Sequence, residues 1–443
     1  MKFVKIFFLI SFTFVFVIGV NGQEKITLSR AITIALNQNT SVIKSTNSLE
    51  TSAAFLKNAY GNLLPTLNLN SGWNWQRTSS SGSTVLDFFG NPQNLGATET
   101  DSRSYSMSLG GNVTIFDGLA NISTINQRKN DLQAAKYDLE KLRQDVVLQT
   151  VNLFIIILNN EKILKFQTED VMYNEDMLNK VKEMFDLKMK ANVDLYSQEY
   201  QTSNSKLSYL QAKNNYEKSK ITFLNYLSKD ILKDYTFEMD SSYLPESVKN
   251  IDNIEVLLQT ALGNRNDYQS SKLKLESSEY QLTIARGGLL PSLSGNYSFS
   301  TSATQPSDLF NRKVYSFGLS FSFPIFSRWS TELVIQSALV SNKNTNEDFN
   351  ALERQIKSDL KNAVLDLQTA KLQLEVSRAA LKSAKETWEI KRDSYTLGSA
   401  TFIDQQQSYR DYIQATNNTI ASESNYIYRQ FGLLSALGLL KSE

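Results

Sequence analysis

Two kinds of apolar spacing divide the chain. Over long stretches apolar residues recur every seven positions: Ile125, Leu132, Leu139, Val146 and Leu153, then Leu360, Leu367, Leu374, Leu381, Trp388 and Tyr395. A stripe sustained over so many turns predicts long helices packed in coiled-coil fashion, an ordinary bundle core being the plainer reading of any one stripe residue. In four other segments apolar residues alternate strictly with small polar ones. Leu67, Leu69, Trp73 and Trp75 form one such face; Tyr105, Met107, Leu109, Val113 and Ile115 another; Leu293, Tyr297 and Phe299 a third; Tyr315, Phe317, Leu319, Phe321 and Phe323 the fourth. This spacing predicts strands at about 66–76, 104–116, 292–302 and 314–326. Ser, Gly, Asn and Thr fill the opposite faces, as in membrane strands with lipid on one side and a lumen on the other. A soluble, half-buried antiparallel sheet alternates in the same way.

The breakers sharpen this division. No Pro lies between 93 and 244 or after 324, and no Gly lies between Leu119 and Leu262. Gly, Ser and Pro gather instead in two windows that open alike, GNLLPTL at 61–67 and GGLLPSL at 287–293, and close alike, IFDG at 115–118 and IFSR at 325–328. Pro65 and Pro291 are 226 positions apart, and beyond the strands the offset settles at 210. It pairs Phe116 with Phe326, Leu142 with Leu352, Leu187 with Leu397, Asp194 with Asp404 and Leu227 with Leu437. A constant register over this length predicts an internal tandem repeat. The first repeat would cover 23–228, a connector 229–250, and the second repeat 251–443. Each repeat reads helix, strand, strand, long helix, returning helix. The long helices are placed at Leu119–Leu187 and Arg328–Leu397, the returning ones at Val193–Ser228 and Phe402–Leu437. Single helices are expected over Leu28–Tyr60 and Ile251–Gly287. Residues 76–104 and 302–313 would be hairpin loops, the first long and facing outward.

These lengths imply an architecture. A helix of some 69 residues is about 100 Å long at 1.5 Å per residue, several times the roughly 30 Å hydrocarbon layer of a bilayer. Four strands are too few for a membrane barrel, and open edges are not tolerated in lipid. Membrane strands of this kind must therefore share a barrel between chains, and three copies give twelve strands.

Residues 1–22, with Lys2 and Lys5 before an apolar run from Ile6 to Val20, read as an export signal removed near Gln23. The charge is balanced, 46 Lys and Arg against 45 Asp and Glu, so no basic field points to nucleic acid. The 443 residues contain neither Cys nor His. That excludes disulfides, thiol nucleophiles, Ser-His-Asp triads and His- or Cys-based metal sites. Carboxylates are plentiful but none stands apart from solvated helical faces. The reading is therefore of no enzyme, no catalytic residue, no cofactor and no metal site.

The twin LLP lead-ins, the twin IFDG/IFSR turns, and the tip segments FDLKMKANVDL (185–195) and YTLGSATFIDQ (395–405) together resemble the TolC family of outer-membrane efflux ducts. ALGNRND at 261–267 is similar to that family's AL-x-x-RPD segment, with Asn266 in place of Pro. The resemblance spans the mature chain. It implies a mainly α fold with a small membrane β part, four strands per chain entering a shared trimeric 12-stranded β-barrel that continues into a long periplasmic α-helical barrel. It implies a homotrimer in outer-membrane lipid, extending into the periplasm, that works with a periplasmic adaptor (membrane fusion) protein and an inner-membrane pump. Its function would be a passive conduit for efflux or type I secretion, gated at the periplasmic tip. By the same resemblance the aperture and gate fall on Asp404, Gln407, Tyr395 and Asp194. Gln407 replaces an acid, and Ala400 replaces the gate's Arg. The adaptor would dock on the tip turns, at Lys188, Lys190, Ala191, Gly398, Ser399 and Ala400. Asp194 and Asp404 also have a simpler reading, as acids that stabilise helix N-termini. The alternative for the whole chain is a soluble periplasmic coiled-coil scaffold or adaptor.

Overall fold

The computed structural model describes residues 24–240 and 253–441. The export signal over 1–22, and the part of the connector from 241 on, including Pro245, lie outside the described residues. The chain divides into two compact units, one of Met1–Gln38, Gln149–Glu246 and Lys371–Tyr428, the other of Asn39–Leu148, Ser247–Ala370 and Arg429–Glu443.

In the first unit, β1 (Glu24–Thr27) leads into α1 (Leu28–Gln38). The short strand pairs in parallel with β6 (Tyr235–Glu238), Glu24 opposite Tyr235 and Thr27 opposite Glu238. Beside this pair, Phe154, Phe223 and Phe237 meet edge to face, with centroids 5.7–6.3 Å apart. Edge-to-face contact is the favoured arrangement for buried rings. Ile26, Leu28, Ile157, Leu224 and Leu227, from the same unit, are fully buried, as are Phe154 and Phe223.

The helices are long because no Pro interrupts them. α3 (Ala120–Asp186) and α7 (Ser330–Thr396) have 67 residues each, and α4 (Asn192–Tyr226) and α8 (Phe402–Ala436) have 35 each. The stripe residues Leu139, Val146, Leu360, Leu367 and Leu374 are buried. Two helices expected to be single are each broken in two. Residues 28–61 form α1 and α2 (Thr40–Gly61), because Asn39 takes an extended backbone and its side chain accepts the Ser41 N–H at 2.9 Å. Residues 254–287 form α5 (Ile254–Asn264) and α6 (Asn266–Gly287), broken where Arg265 is extended at φ −71°, ψ 118°. At Asn39 the polar side chain offers the backbone an alternative to the helical ladder, whereas at Arg265 no side chain caps the new helix and the guanidinium instead holds the Asp267 carboxylate.

The second unit holds a four-stranded antiparallel sheet in the order β2–β5–β7–β8, formed by Asn68–Ser80, Thr98–Asp117, Ser292–Ala303 and Val314–Ser322. β5 bulges between Thr114 and Phe116. The strand after Pro65 is pinned at its start. Thr66 N–H donates to Asn112 O at 2.9 Å, and the Thr66 hydroxyl accepts the Asn112 N–H at 3.0 Å. Gly111 permits this approach, since a Cβ there would lie 1.9 Å from Thr66 O. The expected loop over 76–104 is corrected. β2 and β5 continue as a ladder to Ser80 opposite Thr98, and a further hairpin, β3 (Ser83–Leu86) with β4 (Pro92–Leu95), caps it. Backbone pairing here proceeds without an apolar face, which is why alternation gave no sign of it.

Left-handed backbone occurs at Gly118, Leu119, Lys188, Ser228, Arg328, Trp329, Gly398 and Gly438. These are four pairs at an offset of 210, and in all four the two members differ in residue type but share the left-handed conformation.

Candidate functional site

The two tip turns are built alike. At the first, Lys188 sits at φ 59°, its N–H donates to Phe185 O and the Met189 N–H donates to Met184 O, both at 2.8 Å. At the second, Gly398 sits at φ 75°, its N–H donates to Tyr395 O at 3.1 Å and the Ser399 N–H donates to Ser394 O at 2.8 Å. Both are Schellman closures, which need one left-handed residue after the helix. Gly398 meets that need without a Cβ penalty, whereas Lys188 carries one.

The returning helices start differently. Thr401 and Asp404 form a capping box: the Asp404 N–H donates to the Thr401 hydroxyl at 3.1 Å, and the Thr401 N–H donates to Asp404 Oδ2 at 3.3 Å. Those bonds hold the Asp404 carboxyl below the usual carboxylate range. At the corresponding start of α4, Ala191 offers no side-chain cap. Asp194 sits in the first turn, its N–H donating to Ala191 O at 3.1 Å, and its carboxylate makes no hydrogen bond or ion pair among the described residues.

Tyr395 and Asp194 are not bonded to each other within the protomer. The Tyr395 hydroxyl is buried without a hydrogen-bond partner, and its ring packs 5.6 Å from Phe402. The Lys190 ammonium stands 4.4 Å from the Tyr395 ring centroid, so a cation–π contact joins the two turns. Gln407 is exposed and bridges its own helix, accepting from Arg410 at 2.7 Å and donating to Asp411 at 3.0 Å. Lys188, Ala191, Gly398 and Ser399 are exposed and Lys190 and Ala400 half-buried, so the turns present their backbone and small side chains to solvent.

Behind the turns lies a buried polar layer that the stripe reading missed. The Tyr409 hydroxyl donates to Asp170 Oδ1 at 2.6 Å, and Asn174 Nδ2 donates to the same oxygen at 2.9 Å. Gln405 donates to the Tyr173 hydroxyl at 2.7 Å, Gln406 to Gln198 Oε1 at 3.1 Å, and Gln198 to Asn174 O at 3.2 Å. Trp388 stacks on Tyr412 at 5.0 Å and meets Tyr173 edge-on at 5.7 Å. Burial pushes the Asp170 carboxyl above its ordinary value, and its bonds to Tyr409 and Asn174 offset part of that. The sequence carries one signal of this layer. The seven-residue stripe of α3 turns polar as it continues through Asn160, Gln167 and Asn174.

Long helical hairpins, together with an antiparallel sheet whose apolar face is exposed, are the architecture of an outer-membrane channel chain. The chain belongs to the outer membrane efflux protein family, which it matches over residues 31–228 and 257–439. It is 20% identical over 372 residues to outer membrane protein TolC of Escherichia coli (strain K12), covering 78% of this chain and 72% of that one. Its fold is similar to the outer membrane channel CmeC of Campylobacter jejuni, with a TM-score of 0.78 at 20% identity over 93% of this chain and 85% of that one. CusC gives a TM-score of 0.79 at 16% identity, over 93% and 92% respectively. The family is one of outer-membrane channels rather than enzymes. The channel reading is supported and the soluble scaffold is not.

Proposed function

We propose that three copies of this chain form one duct through the outer membrane and into the periplasm, a passive conduit in a tripartite efflux or type I secretion system. The observation that carries this is the sheet. β2 and β8 are unpaired edges, and Leu69, Trp73, Phe317, Leu319 and Phe321 on its apolar face are 62–86% exposed. Open edges are incompatible with lipid, so β2 of one copy pairs with β8 of the next, and twelve strands close the barrel. The helical hairpins continue the duct into the periplasm. The recurrence of left-handed positions and of helix lengths at an offset of 210 supports origin by tandem duplication, with repeats over 23–228 and 251–443 about a connector at 229–250.

The periplasmic aperture is formed by Asp404 and Gln407, with Tyr395 and Asp194 as gate residues that pair between chains. The Tyr395 hydroxyl and the Asp194 carboxylate support that reading, because neither has a hydrogen-bond partner among the described residues. A periplasmic adaptor docks at Lys188, Lys190, Ala191, Gly398, Ser399 and Ala400, and an inner-membrane pump supplies the energy. Native mass spectrometry of the detergent-extracted protein tests the assembly, and a monomer refutes it. Single-channel conductance tests the gate. Asp194→Ala combined with Tyr395→Phe raises it, and an unchanged closed state removes these residues from the gate.

A further inference from the structure

The four-stranded sheet ends at Tyr105 opposite Ala303, but β2 and β5 run on together for seven more pairs, from Asn74–Ser104 to Ser80–Thr98. The β3–β4 hairpin extends them further. Between 74 and 104 every residue but Asp87 is exposed. At its tip Phe88 is 99% and Phe89 85% exposed, with Leu86 at 71%. The two rings stand edge to face at 5.8 Å. Their turn is fixed rather than loose: Asp87 Oδ1 accepts the Phe89 N–H at 2.9 Å and the Asn91 N–H at 2.8 Å, and Gly90 supplies the left-handed residue at φ 81°.

A two-stranded ribbon with neither face covered is at best marginal in water. Something must cover this one, and it must be apolar at the tip. The lipid in contact with Trp73 and Trp75 does not reach it. The bidentate Arg77–Asp101 pair, at 2.7 and 2.9 Å, ends the apolar face, and Ser79 opposite Glu99 and Ser80 opposite Thr98 follow. At 3.4 Å per residue the aromatic pair lies about 20 Å or more of strand beyond that ion pair. A second copy of the chain does reach it. The ribbon continues β2, the very edge that meets the next copy in the proposed barrel. Twelve strands spaced 4.8 Å apart and tilted about 40° give a barrel radius of about 12 Å. A seven-pair projection of about 20 Å exceeds that radius, so three ribbons can meet on the axis.

We infer that the ribbons of three copies lean together over the outer mouth and bury Phe88 and Phe89 against one another on the pore axis. This rests on the trimeric channel reading. The chain has no Cys, so Phe88→Cys, or in a second variant Phe89→Cys, introduces a single thiol. A disulfide needs Cα atoms within about 7 Å. After mild oxidation of the extracted protein, the inference expects a disulfide-linked dimer on a non-reducing gel from at least one variant, with a trimeric native mass. A trimer in which neither variant cross-links overturns the inference alone. In that trimer, quenching of a bimane label at either position by brominated acyl chains in a vesicle would assign the tip to lipid instead. A monomeric native mass overturns the channel reading and the inference with it.

Discussion

Asp267→Asn offers the sharpest test of how the broken helix is held. Arg265 interrupts the helical ladder between α5 and α6, and its guanidinium grips Asp267 through two hydrogen bonds, Nε to Oδ1 at 3.0 Å and Nη2 to Oδ2 at 2.6 Å. The Arg265 side chain is 9% exposed and that of Asp267 is 21%. Among the described residues the other acidic contact of Arg265 is Asp359, at 3.5 Å and 36% exposed. Removing one partner of a fully buried pair costs about 3–5 kcal/mol, and of an exposed pair at most about 1. A one-fifth exposed acid, with Asp359 remaining, places Asp267→Asn at about 2–3 kcal/mol. Hydrogen exchange followed by mass spectrometry on peptides from 254–287 reads this directly, as opening of the joint made about 30- to 150-fold more frequent. Lys274→Gln is the control. It breaks the Lys274–Asp138 pair, in which both side chains are about half exposed, and should change exchange less than about fivefold. The pH dependence has a definite sign. Burial raises the Asp267 carboxyl, but the Arg265 bonds and charge, with Lys141, outweigh it and hold it below the ordinary range. Its stabilisation is present above the unfolded value of about 3.9 and is lost as pH falls through the folded value. Wild type and variant therefore converge in acid. Exchange of Asp267→Asn within threefold of wild type at neutral pH would refute the reasoning.

Asp170 has the opposite sign. Its carboxyl is raised by burial, so its contribution is complete below the ordinary carboxylate value and is lost as pH rises through the raised one. Circular-dichroism melts should show wild type gaining stability on mild acidification, and Asp170→Asn flattening that gain. Thr401→Ala removes the capping hydroxyl of α8 and should cost about 1 kcal/mol, seen as faster exchange confined to the first turn. The same turn frays in wild type as pH falls through the depressed Asp404 value. Gly111→Ala sets a Cβ 1.9 Å from a backbone oxygen that cannot yield without breaking the Thr66–Asn112 bonds. It should cost at least about 2 kcal/mol and lower the temperature at which the extracted assembly dissociates on a gel.

What was legible in the sequence follows from what each element uses for stability. The long helices rest on apolar stripes and carry no Gly or Pro, so their two 67-residue spans differ from the 69 and 70 residues read from pattern only at the ends. The capping acid Asp404 was equally open to reading, because Thr401 three residues before it completes a local motif. The breaks at Asn39 and Arg265 were not, since an Asn or an Arg inside a helical pattern is ordinary until its side chain finds a better use nearby. Nor was the ribbon beyond Gln76, where backbone pairing needs no apolar face. The buried layer around Asp170 is the deepest of these omissions. Gln198, Gln405 and Gln406 are each under 10% exposed, yet Gln, Asn and Tyr on a long helix normally read as solvated surface. Only their partners distinguish them. Asp170, Asn174 and Tyr173 come from α3, Gln198 from α4, and Gln405, Gln406 and Tyr409 from α8. Apolar stripes tolerate sliding by a turn, because one Leu packs much like another. A layer of directional bonds does not, because a shifted register leaves buried donors and acceptors unpaired at about 1–3 kcal/mol each. The same chain thus uses the seven-residue stripe to bring its helices together and the polar layer to fix the level at which Tyr395 and the two tip turns meet.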